Sequence, residues 1–360
     1  MPKLRVLIVD DAVVVRKILT DAVGSEADME VHTAASGRIA LMKLPQINPD
    51  AITLDMEMPE LDGVQTVKEI RKTHPKTPII MFSTLTVQGA EATLDALAAG
   101  ANDYVTKPAN VGSVAVAIAR IKAELVPMIR ALCGVSEVRP QEAAPVASKP
   151  MFRPKASSGP IEAVTIGIST GGPNALSQML PHLPRNLPVP ILIVQHMPPL
   201  FTKLLAARLA EQCPLDVKEG VAGMPVCPGH IIIAPGGKHM VVQRSGDGVV
   251  IATNMDPPLN SCRPAVDALF RSVATVYGAR ALALVLTGMG NDGMRGCEYI
   301  RDAGGQIVVQ DEESSVVWGM PGSVARAGLA QKILALTQIA PEIVRRVNQN
   351  RRVEMCSASS

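Results

Sequence analysis

Five times before residue 127 a short apolar run gives way to a stretch with helical spacing: Leu4–Val9 then Val14–Val23, Glu30–Thr33 then Arg38–Leu44, Ala51–Leu54 then Val64–Lys72, Pro78–Phe82 then Gly89–Ala99, and Asp103–Val105 then Val111 to about Val126. Few folds accept that pattern. Runs that are apolar throughout belong to strands covered on both faces, and this alternation builds a parallel sheet flanked by helices. Composition agrees, since hydrophobic residues make up 47% of the chain and aromatics only 2%; the cores must be assembled from Val, Ile, Leu, Ala and Met. The expected fold class is α/β, a doubly wound parallel sheet with its functional groups at the carboxyl ends of the strands.

Those ends carry the chemistry. Asp10 and Asp11 close the first strand, Asp55 the third and Ser83 the fourth, while Lys107 follows the fifth. Three converging carboxylates repel one another unless a cation joins them, and an all-oxygen donor set suits Mg²⁺. A carboxylate beside Mg²⁺, with a hydroxyl and a lysine placed for phosphoryl oxygens, is a site for making an aspartyl phosphate. Ordinary polar strand ends facing solvent are the plainer alternative.

From Val135 to Pro160 the periodicity stops and Pro, Ala, Ser, Lys and Glu dominate, the signature of a semi-extended linker. A short recognition motif around Phe152 and Arg153 is a second use for it. A second alternating region follows, with strands over Val164–Ile168, Pro190–Gln195, Ala281–Thr287 and Gln306–Gln310, and helices over Phe201–Gln212 and Arg263–Tyr277. The runs Ile231–Ala234, Met240–Gln243 and Gly248–Thr253 are separated by Gly-rich turns and read as hairpins. Val317–Ala330 and the basic segment to Arg352 are expected to add covering helices. The division of the 360 residues is therefore a first domain over 1–128, a linker over 129–160, a second α/β domain with a β-hairpin insertion over 161–350, and a tail over 351–360.

Gly167, Ile168, Ser169, Thr170 and Gly171 join a strand to a helix through a glycine corner carrying one serine. That spelling fits the G-x-S-x-G elbow of serine hydrolases. The same corner also suits a dinucleotide phosphate site, although Ser169 replaces the middle glycine and the next strand ends in His196 rather than an acidic ribose ligand. Asp292 lies beyond a third strand end, so Ser169, His196 and Asp292 hold the inventory of a nucleophile, a general base and its orienting carboxylate. Each has a plain alternative: a helix N-cap for Ser169, a satisfied strand-end histidine, and turn chemistry for Asp292. A second domain that binds a nucleotide or a protein without catalysis remains the rival function.

The formal net charge of +2 leaves no basic footprint for nucleic acid, and the few aromatics offer little base stacking. Arg345, Arg346, Arg351 and Arg352 form the one basic cluster, without a helix-turn-helix context. Six cysteines, Cys133, Cys213, Cys227, Cys262, Cys297 and Cys356, show no C-x-x-C spacing, which argues against a structural zinc site or a disulfide framework and fits a reducing cytoplasm. Met1–Val9 lacks the features of a signal peptide, and no run approaches a membrane span. A cytoplasmic, uninserted protein is expected.

With Met58-Pro59 and Asp62-Gly63 behind Asp55, and Tyr104 before Lys107-Pro108, the first third resembles the receiver domain of bacterial response regulators, a flavodoxin-like (βα)₅ unit. The resemblance implies that Asp55 accepts phosphate from a histidine kinase. It also implies that Asp10, Asp11, Asp55 and the Glu57 carbonyl hold Mg²⁺, that Ser83 and Tyr104 report phosphorylation, and that Lys107-Pro108 is a cis peptide. GISTGGP, QHMP, LNSCRPAVD and LTGMGNDG resemble the catalytic domain of the chemotaxis methylesterases, with a Rossmann-like sheet. That resemblance implies a Ser169, His196, Asp292 triad, an oxyanion site from the Thr170 and Met289 N–H groups, and hydrolysis without a cofactor. The implied substrates are glutamate methyl esters on chemoreceptors, and in many members receptor glutamines too. Arg263 is a candidate contact for the acidic substrate helix, or a solvated helix-start arginine. The resting receiver face near Ser83 and Tyr104 is expected to cover the Ser169 entrance until phosphorylation loosens it.

Overall fold

A computed structural model describes residues 3–108, 113–135 and 159–349. Phe152, Arg153, Cys356, Arg351, Arg352 and residues 136–158 of the expected linker lie outside them. The chain divides into two units, Met1–Pro140 and Gln141–Ser360.

The first unit alternates β1 (Leu4–Val9), α1 (Val13–Gly24), β2 (Met29–Ala34), α2 (Gly37–Ile47), β3 (Ala51–Asp55), α3 (Gly63–Thr73), β4 (Ile79–Ser83), α4 (Val87–Ala98), β5 (Asp103–Thr106) and α5 (Val114–Leu132). All strand pairs are parallel, in the order β2-β1-β3-β4-β5. Local chemistry starts the helices where the sequence suggests. Asp62 accepts from the Gln65 N–H at 2.7 Å, and Thr86 from that of Gly89 at 3.0 Å, so each side chain satisfies an otherwise orphaned helix donor. α5 runs past both Val126 and the expected domain limit at 128. Pro127 lies inside it, but the buried row Ile121, Leu125, Val126 and Ile129 continues across the proline, and that packing outweighs one missing backbone bond.

The second unit holds β6 (Ala163–Ile168), α6 (Gly172–Met179), β7 (Ile191–Gln195), α7 (Pro199–Gln212), β8 (Asp216–Glu219), β9 (His230–Ile233), β10 (His239–Ser245), β11 (Gly248–Asn254), α8 (Val266–Tyr277), β12 (Ala281–Val285), α9 (Met294–Asp302), β13 (Gln306–Gln310), α10 (Met320–Arg326), β14 (Lys332–Leu334) and α11 (Leu336–Gln349). Seven strands form a parallel sheet ordered β14-β13-β12-β6-β7-β9-β8, and β10 with β11 makes an antiparallel hairpin. β6 sits between β12 and β7, where the winding reverses. Crevices at such points collect ligands.

Four expectations need correction. Ile231–Ala234 is not part of a hairpin; β9 pairs in parallel with β7 and β8, as a wholly apolar run buried on both faces should. β8 and β14, which no expected element covered, are short edge strands with half-polar sequences, so their pairing rather than their pattern makes them strands. α8 begins at Val266, because Asn260 and Ser261 adopt positive φ and Arg263–Pro264 is cis; Lys107–Pro108 is not among the cis bonds of the described residues.

Gly167 is what lets α8 approach β6. A Cβ there would lie 2.4 Å from a Val266 methyl carbon, closer than any real contact, so a side chain at 167 would push away the helix start that faces the crevice. Among the described residues no helix is long and apolar enough to cross a membrane.

Candidate active site

Ser169 follows β6 directly and is fixed from both sides. Its N–H donates to the Thr287 carbonyl beyond β12 (3.0 Å), and its carbonyl accepts from Gly172 (2.7 Å) and from the Gln195 side-chain amide (3.0 Å). It is not a helix N-cap: that position belongs to Gly171 at φ 75°, and α6 has no side-chain cap. A Cβ on Gly171 would lie 2.6 Å from a Val316 methyl carbon. The left-handed turn and the close approach both demand glycine there. No side chain caps this helix start; the Gly172 N–H turns back to the Ser169 carbonyl instead.

His196 follows β7. Its Nε2 lies 2.8 Å from Asp292 Oδ2, and its Nδ1 3.6 Å from the Cys262 sulfur. Asp292, 2% exposed, follows β12 and is held by more than the histidine. Oδ2 accepts from the Val266 N–H at 2.7 Å, and Oδ1 accepts from the N–H groups of Asp267 (3.1 Å) and Gly293 (3.0 Å) and from the Asn260 amide (2.9 Å). Burial works against the Asp292 charge, but the His196 bond and these N–H groups outweigh it and its pKa falls below the ordinary carboxylate value. For His196, burial opposes the imidazolium while the bonds to Asp292 and Cys262 favour it, and the net result is pushed up to about 9. At neutral pH the resting pair is carboxylate and imidazolium.

Around this pair stand groups that sequence patterning missed. Asn260 bridges two carboxylates, donating to Asp267 Oδ2 (2.8 Å) as well as to Asp292. Asp267 accepts from Gly293 and Gly296, and burial raises its pKa. Asn260, Cys262 and Asp267 all lie in the LNSCRPAVD stretch, where only Arg263 stood out. Arg263 spends its guanidinium on the chain itself, donating through Nη1 to the carbonyls of Met255 (3.1 Å) and Asp256 (3.2 Å). The N–H groups of Thr170 and Met289 are not committed to any hydrogen bond among the described residues. Met289 belongs to the loop whose Gly288 abuts Ser169: a Cβ built on Gly288 would lie 2.8 Å from the Ser169 Cβ.

The first unit gathers a separate acidic site. One carboxylate oxygen each from Asp10, Asp11 and Asp55 can be chosen so that all lie within 4.8 Å of one another. Lys107 Nζ reaches Asp55 Oδ1 at 2.6 Å and Asp10 Oδ2 at 3.8 Å. Desolvation raises Asp10 to about 6 and raises Asp55 despite the lysine, while Asp10 Oδ2 is buried with no hydrogen-bond partner. An orphaned oxygen in an all-carboxylate set fits a hard divalent cation. Glu57 follows, its N–H 3.5 Å from Asp55 Oδ1. The Ser83 hydroxyl turns to α4, donating to the Gly89 carbonyl (3.1 Å) and accepting from Thr93 (2.6 Å), and Tyr104 is half-buried on β5.

Comparison with known proteins gives the same division. Residues 164–343 match the family model described as CheB methylesterase, and residues 6–119 match that of the response regulator receiver domain. The chain is 52% identical over 352 residues to a protein-glutamate methylesterase/protein-glutamine glutaminase of Trichodesmium erythraeum, covering 96% of this chain and 100% of that one. It is 50% identical over 357 residues to a protein of the same name from Nocardioides sp., covering 98% and 97%. The crystal structure of the Thermotoga maritima CheB methylesterase catalytic domain superposes with a TM-score of 0.51 at 40% identity, over 51% of this chain and 98% of that one.

Proposed function

The chain belongs to the CheB methylesterase family, with a receiver domain ahead of the hydrolase, and from that premise we propose how its own residues perform and control the reaction. It is a protein-glutamate methylesterase/protein-glutamine glutaminase acting in chemotaxis. Ser169 attacks the γ-carbonyl of a receptor glutamate methyl ester, and His196 takes the serine proton on Nδ1, the ring nitrogen that Asp292 leaves free. The Thr170 and Met289 N–H groups receive the oxyanion. His196 returns the proton to the departing methoxide, methanol leaves, and water repeats the sequence on the acyl-enzyme to give the glutamate. A glutamine γ-amide follows the same course with ammonia leaving.

What carries these roles is the Asp292 anchorage. A carboxylate buried to 2% that accepts three backbone N–H groups is held in one orientation, and through its 2.8 Å contact with Nε2 it sets the orientation of the imidazole. Arg263 braces the 255–263 loop and meets acidic substrate with whatever face its backbone bonds leave.

In the receiver, Asp55 accepts the phosphoryl group from a histidine kinase. Asp10, Asp11, Asp55 and the Glu57 carbonyl would hold Mg²⁺, which neutralises charge on the phosphoryl oxygens when bound. Lys107 then leaves its carboxylate partner for the phosphoryl group, Ser83 rotates from α4 toward it, and Tyr104 follows; inhibition of the hydrolase is relieved. The protein works in the cytoplasm on membrane-bound receptors. Methanol release from methyl-labelled receptor membranes tests the scheme: Ser169→Ala abolishes it, and a small-molecule phosphodonor with Mg²⁺ raises it in the wild type. Undiminished release by Ser169→Ala would overturn the assigned nucleophile.

A further inference from the structure

Cys262 is not needed for the scheme above, yet its sulfur stands 3.6 Å from His196 Nδ1, the nitrogen opposite Asp292. A zinc ion bonded to sulfur at about 2.3 Å and to imidazole nitrogen at about 2.0–2.1 Å, with a tetrahedral angle between them, separates those two atoms by about 3.6 Å. The observed spacing, a sulfur–imidazole hydrogen bond in the metal-free protein, is also the spacing of two ligands on one metal. The far side of the ring completes the pattern. Histidines that ligate metals characteristically donate their second ring N–H to a carboxylate, which fixes the tautomer and raises the basicity of the ligating nitrogen. Nε2 already meets Asp292 Oδ2 at 2.8 Å.

We propose that Cys262 and His196 form a binding site for a thiophilic divalent cation such as Zn²⁺, oriented by Asp292, and that occupation of this site switches off hydrolysis. Among the described residues, His196, Cys262 and Asp292 make one of two groups of ligand side chains close enough to hold a metal. The other, Asp10, Asp11 and Asp55, is all oxygen and suits a hard ion. Sulfur and imidazole select a softer one. Both Cys262 and His196 are half-buried, so a hydrated ion can reach them from the crevice. Solvent fills the remaining coordination positions. Sequence spacing could not show the site, since the two ligands lie 66 residues apart.

Inhibition follows from which electron pair the metal uses. Nδ1 is the pair that takes the Ser169 proton in the proposed scheme, and this part of the inference rests on that assignment. Binding displaces two protons to solvent, one from the Cys262 thiol and one from Nδ1 of the resting imidazolium, and leaves Nδ1 with nothing to offer the serine.

The test uses full-length protein stripped of metal by chelation. Co²⁺ is the spectroscopic probe, because a thiolate ligand gives it an intense near-ultraviolet charge-transfer band that carboxylate ligands do not. The wild type is expected to develop that band with one equivalent of Co²⁺ and lose it as Zn²⁺ displaces cobalt. Cys262→Ser is expected to show no band. Asp292→Asn should bind roughly 10–100-fold more weakly, the effect of losing an orienting partner. Methanol release by the wild type should fall in step with Zn²⁺ occupancy, whereas Cys262→Ser and Cys262→Ala need at least tenfold more Zn²⁺ to halve their own metal-free rates. Absence of the thiolate band in the wild type, or equal Zn²⁺ sensitivity of wild type and Cys262→Ser, overturns the proposal. Failure of the hydrolytic scheme would show separately, as no methanol release before any metal is added.

Discussion

Raising the pH should activate this enzyme well beyond the range in which an ordinary histidine titrates. In the role proposed for it, His196 works as a base only when neutral, and its pKa is pushed up to about 9 rather than the usual 6.5, because the bonds to Asp292 and Cys262 outweigh burial. At pH 7 roughly one molecule in a hundred then carries a neutral base, against about half at pH 9, so kcat/KM should rise by roughly fifty-fold between them at close to tenfold per pH unit at first. Methanol release at low substrate, with spontaneous ester hydrolysis subtracted, reads this directly. Stability should run the opposite way. A histidine whose folded pKa exceeds its unfolded value contributes stability that is complete below about pH 6.5 and lost as the pH climbs through about 9. The gap is worth roughly 3 kcal/mol, visible as a fall in the denaturation midpoint over that window. Asp292→Asn removes the largest interaction favouring the imidazolium and leaves only the Cys262 bond against burial, so the activity midpoint should fall below that of the wild type while the rate falls roughly ten-thousand-fold, the scale seen when a triad carboxylate becomes an amide. A wild-type profile already flat above pH 7 would refute the argument that Asp292 holds His196 charged.

Other outcomes follow from the same geometry. Met289→Ala should keep kcat within about threefold, because the oxyanion donor is a backbone group, whereas Met289→Pro deletes the N–H and should cost roughly 10²–10³ in kcat with unchanged circular dichroism; equal rates would remove Met289 from the oxyanion site. Gly171→Ala forces a side chain into φ 75° and against Val316, for roughly 2–4 kcal/mol of left-handed strain and overpacking, and an unaltered melting temperature would contradict it. Asn260→Ala leaves two buried carboxylates without their shared donor; about 1.5–3 kcal/mol of stability should be lost, and urea denaturation showing less than about 0.5 kcal/mol would mean that solvent replaces the amide. In Asp55→Ala a phosphodonor with Mg²⁺ should not accelerate methanol release; stimulation equal to wild type would place regulation elsewhere.

Much of the architecture was legible because buried parallel strands have a blunt signature. β1, β3, β4, β6, β7 and β12 are apolar nearly throughout and are buried nearly throughout. Legibility failed where neighbours rather than residues decide. Lys332–Leu334 becomes a strand only because β13 offers an unpaired edge. Ile231–Ala234 reads as part of a hairpin because Gly-rich turns flank it, although its unbroken isoleucines belong to a sheet centre, in β9. The helix expected to end at about Val126 runs on to Leu132, because the packing of α5 continues on both sides of Pro127.

The active site divides along the same line, and the division has a physical cause. Ser169, His196 and Asp292 could be singled out because each is a reactive residue type at the end of an apolar run, where parallel winding sends such residues to one edge. The groups that give them their properties cannot be read that way. Asp292 owes its lowered pKa to the His196 bond first and then to the Val266 and Asp267 N–H groups, and those N–H donors are in place because Gly167 admits Val266 and the chain turns back at Asn260 with positive φ. Cys262, one scattered cysteine among six in sequence, gains its significance from a 3.6 Å approach to a histidine on another strand end. In this fold a reactive residue is marked by its own type and its place on a strand. Its pKa, its tautomer and its susceptibility to metals are set by partners brought by other segments, so they become readable only when the strands are in register.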